Sequence, residues 1–165
     1  SGSMRVAETI LRYDYLWTRI RVQGGAYGAF AQFKRNGNMM LGSYRDPNLA
    51  ETIEVFDDTA AYLADFSVSD REMDKYIIGT MSAVDAPLTA QMKGEAAAEC
   101  YIRDISQADR QQIRDEISAT RQHDIVSLAT VVAACIEQNY ICALGGEGKI
   151  RENSTIFGEL KSIFS

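Results

Sequence analysis

At 165 residues, with 46% apolar and 24% charged side chains, the chain has the length and composition of one globular domain that can bury a core without metal or disulfide staples. A net charge of -6 argues against the basic face that nucleic-acid binding requires and otherwise bears mainly on solubility. No window approaches the roughly 18 apolar residues that span a bilayer, and no signal peptide opens the chain, so the expectation is a cytoplasmic protein.

Ser1-Gly2-Ser3 ahead of Met4 reads as a cloning remnant and is set aside, leaving residues 4–165 as one domain. Val6, Ile10, Tyr13, Trp17 and Ile20 recur at helical spacing and predict a helix from about Met4 to Val22 with one buried stripe. It runs into Arg19-Ile-Arg-Val-Gln-Gly-Gly-Ala-Tyr27, where Gly24 and Gly25 can end a helix with positive φ and let another backbone come close. Arg21 and Tyr27 then flank a tight turn suited to binding a peptide.

Small and aromatic residues from Tyr27 to Arg35, then Asn36-Gly37, then residues 38–44 predict a β-hairpin with a two-residue type I′ turn, in which Phe33 faces Met40 and Ala31 faces Gly42. Asp46-Pro47 reads as the cap and first turn of a helix to about Asp65, and Ser69 to Glu72 as the capping box of a helix using Met73, Ile77, Met81 and Val84. Further helices are predicted from about Pro87 to Arg103, from Ser106 to near Thr120, and from about Gln122 to Gln138. Tyr140 to Leu144, bounded by Gly145-Gly146, reads as a third strand, and Asn153 to Phe164 as a last helix. The sum is an α+β fold of two layers, helices on one face of a mainly antiparallel sheet. So thin a sheet implies further strands before Met4 or another chain over the exposed edge.

Most local chemistry can be excluded. The chain has a single histidine, His123, and neither H-x-x-E-H nor H-E-x-x-H, so a self-contained zinc site or a His-dependent hydrolase is not supported; His123 fits a solvated or capping role. Gly24 to Gly28 lacks the Lys-Ser/Thr of a phosphate loop and leads into a strand. Asp57-Asp58 reads as solvated charge on a helix, and Cys100, Cys135 and Cys142 as buried reduced thiols. Asn153-Ser154-Thr155 matches a glycosylation acceptor but carries little weight without a secretory signal. The residues themselves leave two readings of Arg21 and Tyr27: a helix-capping arginine with a packed tyrosine, or a substrate site.

Tyr13 to Ala29 with its R-x-x-G-G-A-Y-G core, Gly42 to Leu49 (G-S-Y-R-D-P-N-L) and Gly145 to Ile150 (G-G-E-G-K-I) together resemble the C-terminal domain of pitrilysin/insulinase-type zinc metallopeptidases, nearest the presequence-protease-like branch. The resemblance implies a clamshell of four related α+β domains. Its N-terminal half would hold zinc through H-x-x-E-H and a distal glutamate, and its C-terminal half would close over an unfolded peptide. On that pattern Arg21 and Tyr27 are the arginine and tyrosine that contact substrate near the scissile carbonyl, and Gly24 and Gly25 are the substrate-facing glycines. It further implies that the chain is a C-terminal segment, inactive alone and binding no zinc itself. Its partner would be the zinc-bearing half of the same polypeptide. Self-association through exposed strand edges is also expected. The alternative is a non-catalytic scaffold or peptide-binding subunit of the same fold, which an upstream search for H-x-x-E-H would separate.

Overall fold

The computed structural model describes residues 1–162. Its organising element is α1, residues 2–23, which begins as a regular helix over Gly2–Ile10 and continues through two π-helical stretches, Leu11–Tyr15 and Trp17–Gln23. The helix starts inside the stretch set aside as a remnant, and the Gly2 N–H donates to Glu116 at 2.7 Å. In the π stretches each N–H reaches the carbonyl five residues back, as Leu16 does to Leu11 and Gly24 to Arg19. Side chains five apart therefore share a face. The buried residues follow that rule: Ile10, Tyr15 and Ile20 form one row, Leu11 and Leu16 the next. The predicted stripe through Tyr13 and Trp17 assumed the ordinary period, and both side chains are exposed.

Gly25 at φ 79° ends α1, and β1 (Gly28–Phe33) pairs antiparallel with β2 (Met39–Tyr44). The hairpin is as expected but its turn is not. The Gly37 N–H donates to the Lys34 carbonyl and Gly37 sits at φ 88°, giving a type I turn followed by a left-handed glycine. The longer loop shifts the register by one, so Phe33 pairs with Met39 and Ala31 with Leu41, while Met40 opposes Gln32 and is exposed. Ala29, Ala31, Phe33, Met39 and Leu41 line the face that packs into the core. On the outer face Gly28 lies under the Tyr44 ring and Gly42 under the Phe30 ring; a Cβ on Gly28 would come 2.6 Å from Tyr44.

Helices make up most of what remains: α2 (Ala50–Asp57), α3 (Thr59–Ala64), α4 (Asp70–Val84), α5 (Ala90–Ile102), α6 (Gln107–Ala119), α7 (Gln122–Ile136) and α8 (Glu147–Glu152). Capping boxes start α4, from Ser69 and Glu72, and α6, from Ser106 and Asp109. Thr89 caps α5, so that helix begins three residues after Pro87, and Asp58 interrupts the helix expected to run unbroken to Asp65. α1 packs on β1, α4, α6 and α7, and α3 packs on α7. Val6, Ile10, Leu16 and Ile20 of α1 meet Leu63, Ile117, Ile125 and Val132 in one fully buried core.

Corrections fall mainly in the C-terminal quarter. Among the described residues the sheet has two strands, and 140–144 makes no ladder. That segment still alternates, Ile141 and Ala143 half-buried between exposed Tyr140, Cys142 and Leu144, but no neighbouring edge takes up its hydrogen bonds. A short helix, α8, forms between that segment and the expected last helix, which is a single 3-10 turn at Ser154–Ile156; its expected end at Phe164 lies outside the described residues. The chain is mostly helical with a small antiparallel sheet, consistent with an α+β domain.

Candidate functional site

The junction between α1 and β1 is built by carbonyls that the π-helical end leaves to be satisfied. The Gly24 N–H donates to Arg19 at 3.1 Å, Gly25 to Arg21 at 3.0 Å and Ala26 to Ile20 at 3.1 Å, a wide form of the glycine-terminated helix end. Each glycine has a separate reason. A Cβ at Gly24 would sit 2.6 Å from the Ile20 carbonyl oxygen, whereas Gly25 needs the left-handed conformation. Ala26 is buried, so the turn is pinned between one half-buried position and one exposed position.

Those positions carry Arg21 and Tyr27. The Arg21 guanidinium lies over the Trp17 ring, 3.8 Å from its centroid, an i,i+4 pair on one face of the helix. Tyr27 is 60% exposed, and its ring leans on Tyr44 with centroids 5.6 Å apart and lies under the Arg45 guanidinium at 5.3 Å. Among the described residues no hydrogen bond joins Arg21 to Tyr27, and none engages the Tyr27 hydroxyl. Both polar groups are held through their flat faces, which leaves the in-plane N–H groups and the phenol O–H available to a ligand.

A second segment, 45–48, completes the junction and was not recognised in the sequence as part of it. The Tyr27 N–H donates to the Arg45 carbonyl at 3.2 Å, and the Asn48 Nδ2 donates to the Gly24 carbonyl at 2.5 Å. Asp46 is not the cap of α2. One of its carboxylate oxygens accepts from the Asn48 N–H at 3.0 Å and the other from the buried Thr52 hydroxyl at 2.7 Å, an Asx turn that delays the helix to Ala50. Arg45 itself sits at φ 48°, a left-handed conformation rare for a side chain of its size. The signal that could have found this turn was Asp-Pro-Asn, a strong turn former.

Behind the junction, α1 presents a tyrosine cluster. Tyr15 donates to the Val55 carbonyl at 2.8 Å and stacks on Tyr62 at 4.4 Å, while Tyr62 and Tyr76 both donate to Asp14, at 3.1 and 2.9 Å. Burial, and after it the negative charge of Asp58, pushes the Tyr15 hydroxyl up to about 12. Burial and the hydrogen bond to Asp14 push Tyr76 up to about 12, and burial with the Asp14 charge raises Tyr62 as well.

Metal donors are not grouped. Among the described residues no cluster of three or more His, Cys, Asp or Glu side chains is placed to hold a metal ion. His123 is solvated near the start of α7, where it pairs with Asp124 at 3.2 Å. The three cysteines are free thiols as expected, but Cys100 and Cys135 are only half-buried and Cys142 is exposed.

The model of the PreP C-terminal domain family matches residues 1–145, which include α1, the hairpin and the 45–48 turn. Protein HypA of Clostridium perfringens is 42% identical over 163 residues, covering 99% of this chain and 17% of that protein. Presequence protease 1, chloroplastic/mitochondrial, of Arabidopsis thaliana is 30% identical over 167 residues, 98% of this chain and 16% of the relative. Presequence protease, mitochondrial, of Mus musculus is 27% identical over 128 residues, 78% of this chain and 12% of the relative. The chain thus spans less than a fifth of the length of these curated relatives.

Proposed function

Because the chain belongs to the PreP C-terminal domain family, we propose that it is the substrate-facing C-terminal segment of a zinc-dependent metalloendopeptidase that degrades unfolded peptides. The observation carrying this reading is that half-buried Arg21 and exposed Tyr27 stand on one glycine-shaped junction, each held through its flat face with no hydrogen bond among the described residues engaging its donor groups. A phenol O–H and a guanidinium can donate to a peptide carbonyl oxygen as it gains negative charge, the interaction that most lowers the barrier of acyl transfer. Stacking of both groups on fixed aromatic and cationic neighbours limits the reorganisation needed when substrate arrives. Gly24, by leaving room for the Ile20 carbonyl, and Gly25, by its left-handed φ, shape the turn that in this reading meets the peptide backbone.

Among the described residues no side chains are grouped to fit zinc, so no step of this chain's own chemistry runs through the metal. In this reading the zinc site lies in the N-terminal half of the parent, and the active arrangement forms only when the two halves close. Strands of that parent would also complete the two-layer sheet. Two assays test the reading. The 165-residue chain alone, with zinc supplied, is expected to leave an unfolded peptide uncut; robust cleavage abolished by a chelator overturns it. In the full-length parent, Tyr27→Phe is expected to lower kcat more than it raises KM, and an unchanged kcat returns Tyr27 to a packing role and favours a non-catalytic scaffold.

A further inference from the structure

The turn at residues 45–48 touches the glycine junction at three points. Its Arg45 carbonyl holds the Tyr27 N–H, its Pro47 ring lies 3.7 Å from where a Gly25 Cβ would be, and its Asn48 amide holds the Gly24 carbonyl. No other described side chain donates to that carbonyl. The turn is in turn locked to α2, because Asp46 is clamped between the Asn48 backbone and the buried Thr52. A chain of contacts therefore runs from Thr52 through Asp46 and Asn48 to Gly24, three residues before Tyr27.

We propose that Asn48 is a positioning residue for Tyr27: its amide fixes the Gly24 carbonyl, and with it the height of the junction that presents the phenol. Asn48 touches no substrate. Asp46 sets the Asn48 side chain by folding the Asx turn, and Thr52 anchors Asp46 to the helix. The left-handed Arg45 fits the same role, since strain at one residue is sustained where the surroundings fix the backbone on both sides. This inference rests on the catalytic reading of Tyr27.

The test uses the full-length parent and a peptide substrate. Asn48→Asp preserves shape but replaces the amide donor with an acceptor facing a carbonyl. It is expected to lower kcat about ten- to hundred-fold with KM changed less than about threefold, the pattern of a misplaced transition-state contact. Thr52→Val is expected to act in the same direction more weakly, and Thr52→Ser to retain activity. The deciding readout is coupling. Combined with Tyr27→Phe, Asn48→Asp should add less than about twofold, because the group it positions is already gone. A general folding defect would multiply through instead, and equal losses in both backgrounds overturn the proposal. If Tyr27→Phe lowers kcat while Asn48→Asp changes nothing, the positioning role alone fails. If Tyr27→Phe is itself silent, the functional reading fails and this inference with it.

Discussion

Trp17 is the single tryptophan of the chain, half-exposed, with the Arg21 guanidinium 3.8 Å from its ring centroid. A cation held that closely to an indole alters its emission, so Arg21→Ala should shift or intensify Trp17 fluorescence in the isolated chain without changing its helical signal. An unchanged spectrum would mean that the stack does not persist in solution. The tyrosines behind it give a second prediction. The folded state raises the titration of Tyr15 and Tyr76 to about 12, from an ordinary value of 10.0, because burial favours the neutral phenol. Their stabilising contribution is therefore complete below pH 10 and is lost as pH climbs through about 12. Circular dichroism followed against pH should show unfolding on that alkaline limb together with tyrosinate absorbance. Asp14→Asn, which removes the charge facing Tyr62 and Tyr76, should lower their titration. At this scale the sequence was legible for the placement of the polar pair, since Arg21 and Tyr27 lie on either side of the glycine turn. Asn48 and Thr52 were not, because their role depends on contacts 24 and six residues away that no local pattern encodes.

The elements show the same division between local and non-local causes. Ser69 and Ser106 announce their helices because a cap is a local hydrogen bond, and replacing either by Ala should cost about 1 kcal/mol in thermal or denaturant unfolding. The hairpin signal was equally local, but Asn36-Gly37 serves two turn types. The φ of Asn36 decides between them, since a type I′ turn needs it positive and here only Gly37 of the pair is left-handed, and that choice moved Met40 from the expected pairing with Phe33 to the outer face. Gly37→Ala forces a left-handed alanine and should destabilise by about 1–2 kcal/mol. A smaller loss would imply that the loop relaxes to another turn. α1 was legible as a helix and illegible as a π-helix. Its apolar residues fit both an ordinary stripe and a five-residue row, and packing against β1, α4, α6 and α7 selects the second. That choice leaves Trp17 outside the buried rows, where Arg21 stacks on it.

At the scale of the molecule, the exposed surface is uneven. The core gathers around α1, yet Tyr101 is 89% exposed and Tyr140 92%, with Ile102 and Leu144 close behind, and no residue of α5 is buried. Among the described residues, segment 140–144 keeps a strand's alternation without a strand's partners, and β2 has a neighbour on one side only. A third strand was legible in that alternation, but its pairing was not, because the edge it needs is absent among the described residues. Unsatisfied edges beside apolar side chains favour pairing with another chain. The isolated chain is therefore expected to associate as its concentration rises, giving a weight-average sedimentation coefficient that increases across a dilution series. Met40→Lys places a charge on the outer face of the edge strand and should reduce that association while the helical signal and Trp17 emission stay unchanged. A monomeric profile at every concentration would show that these edges are closed within one chain. Association undiminished by Met40→Lys would move the contact to α5 and its exposed Tyr101 and Ile102.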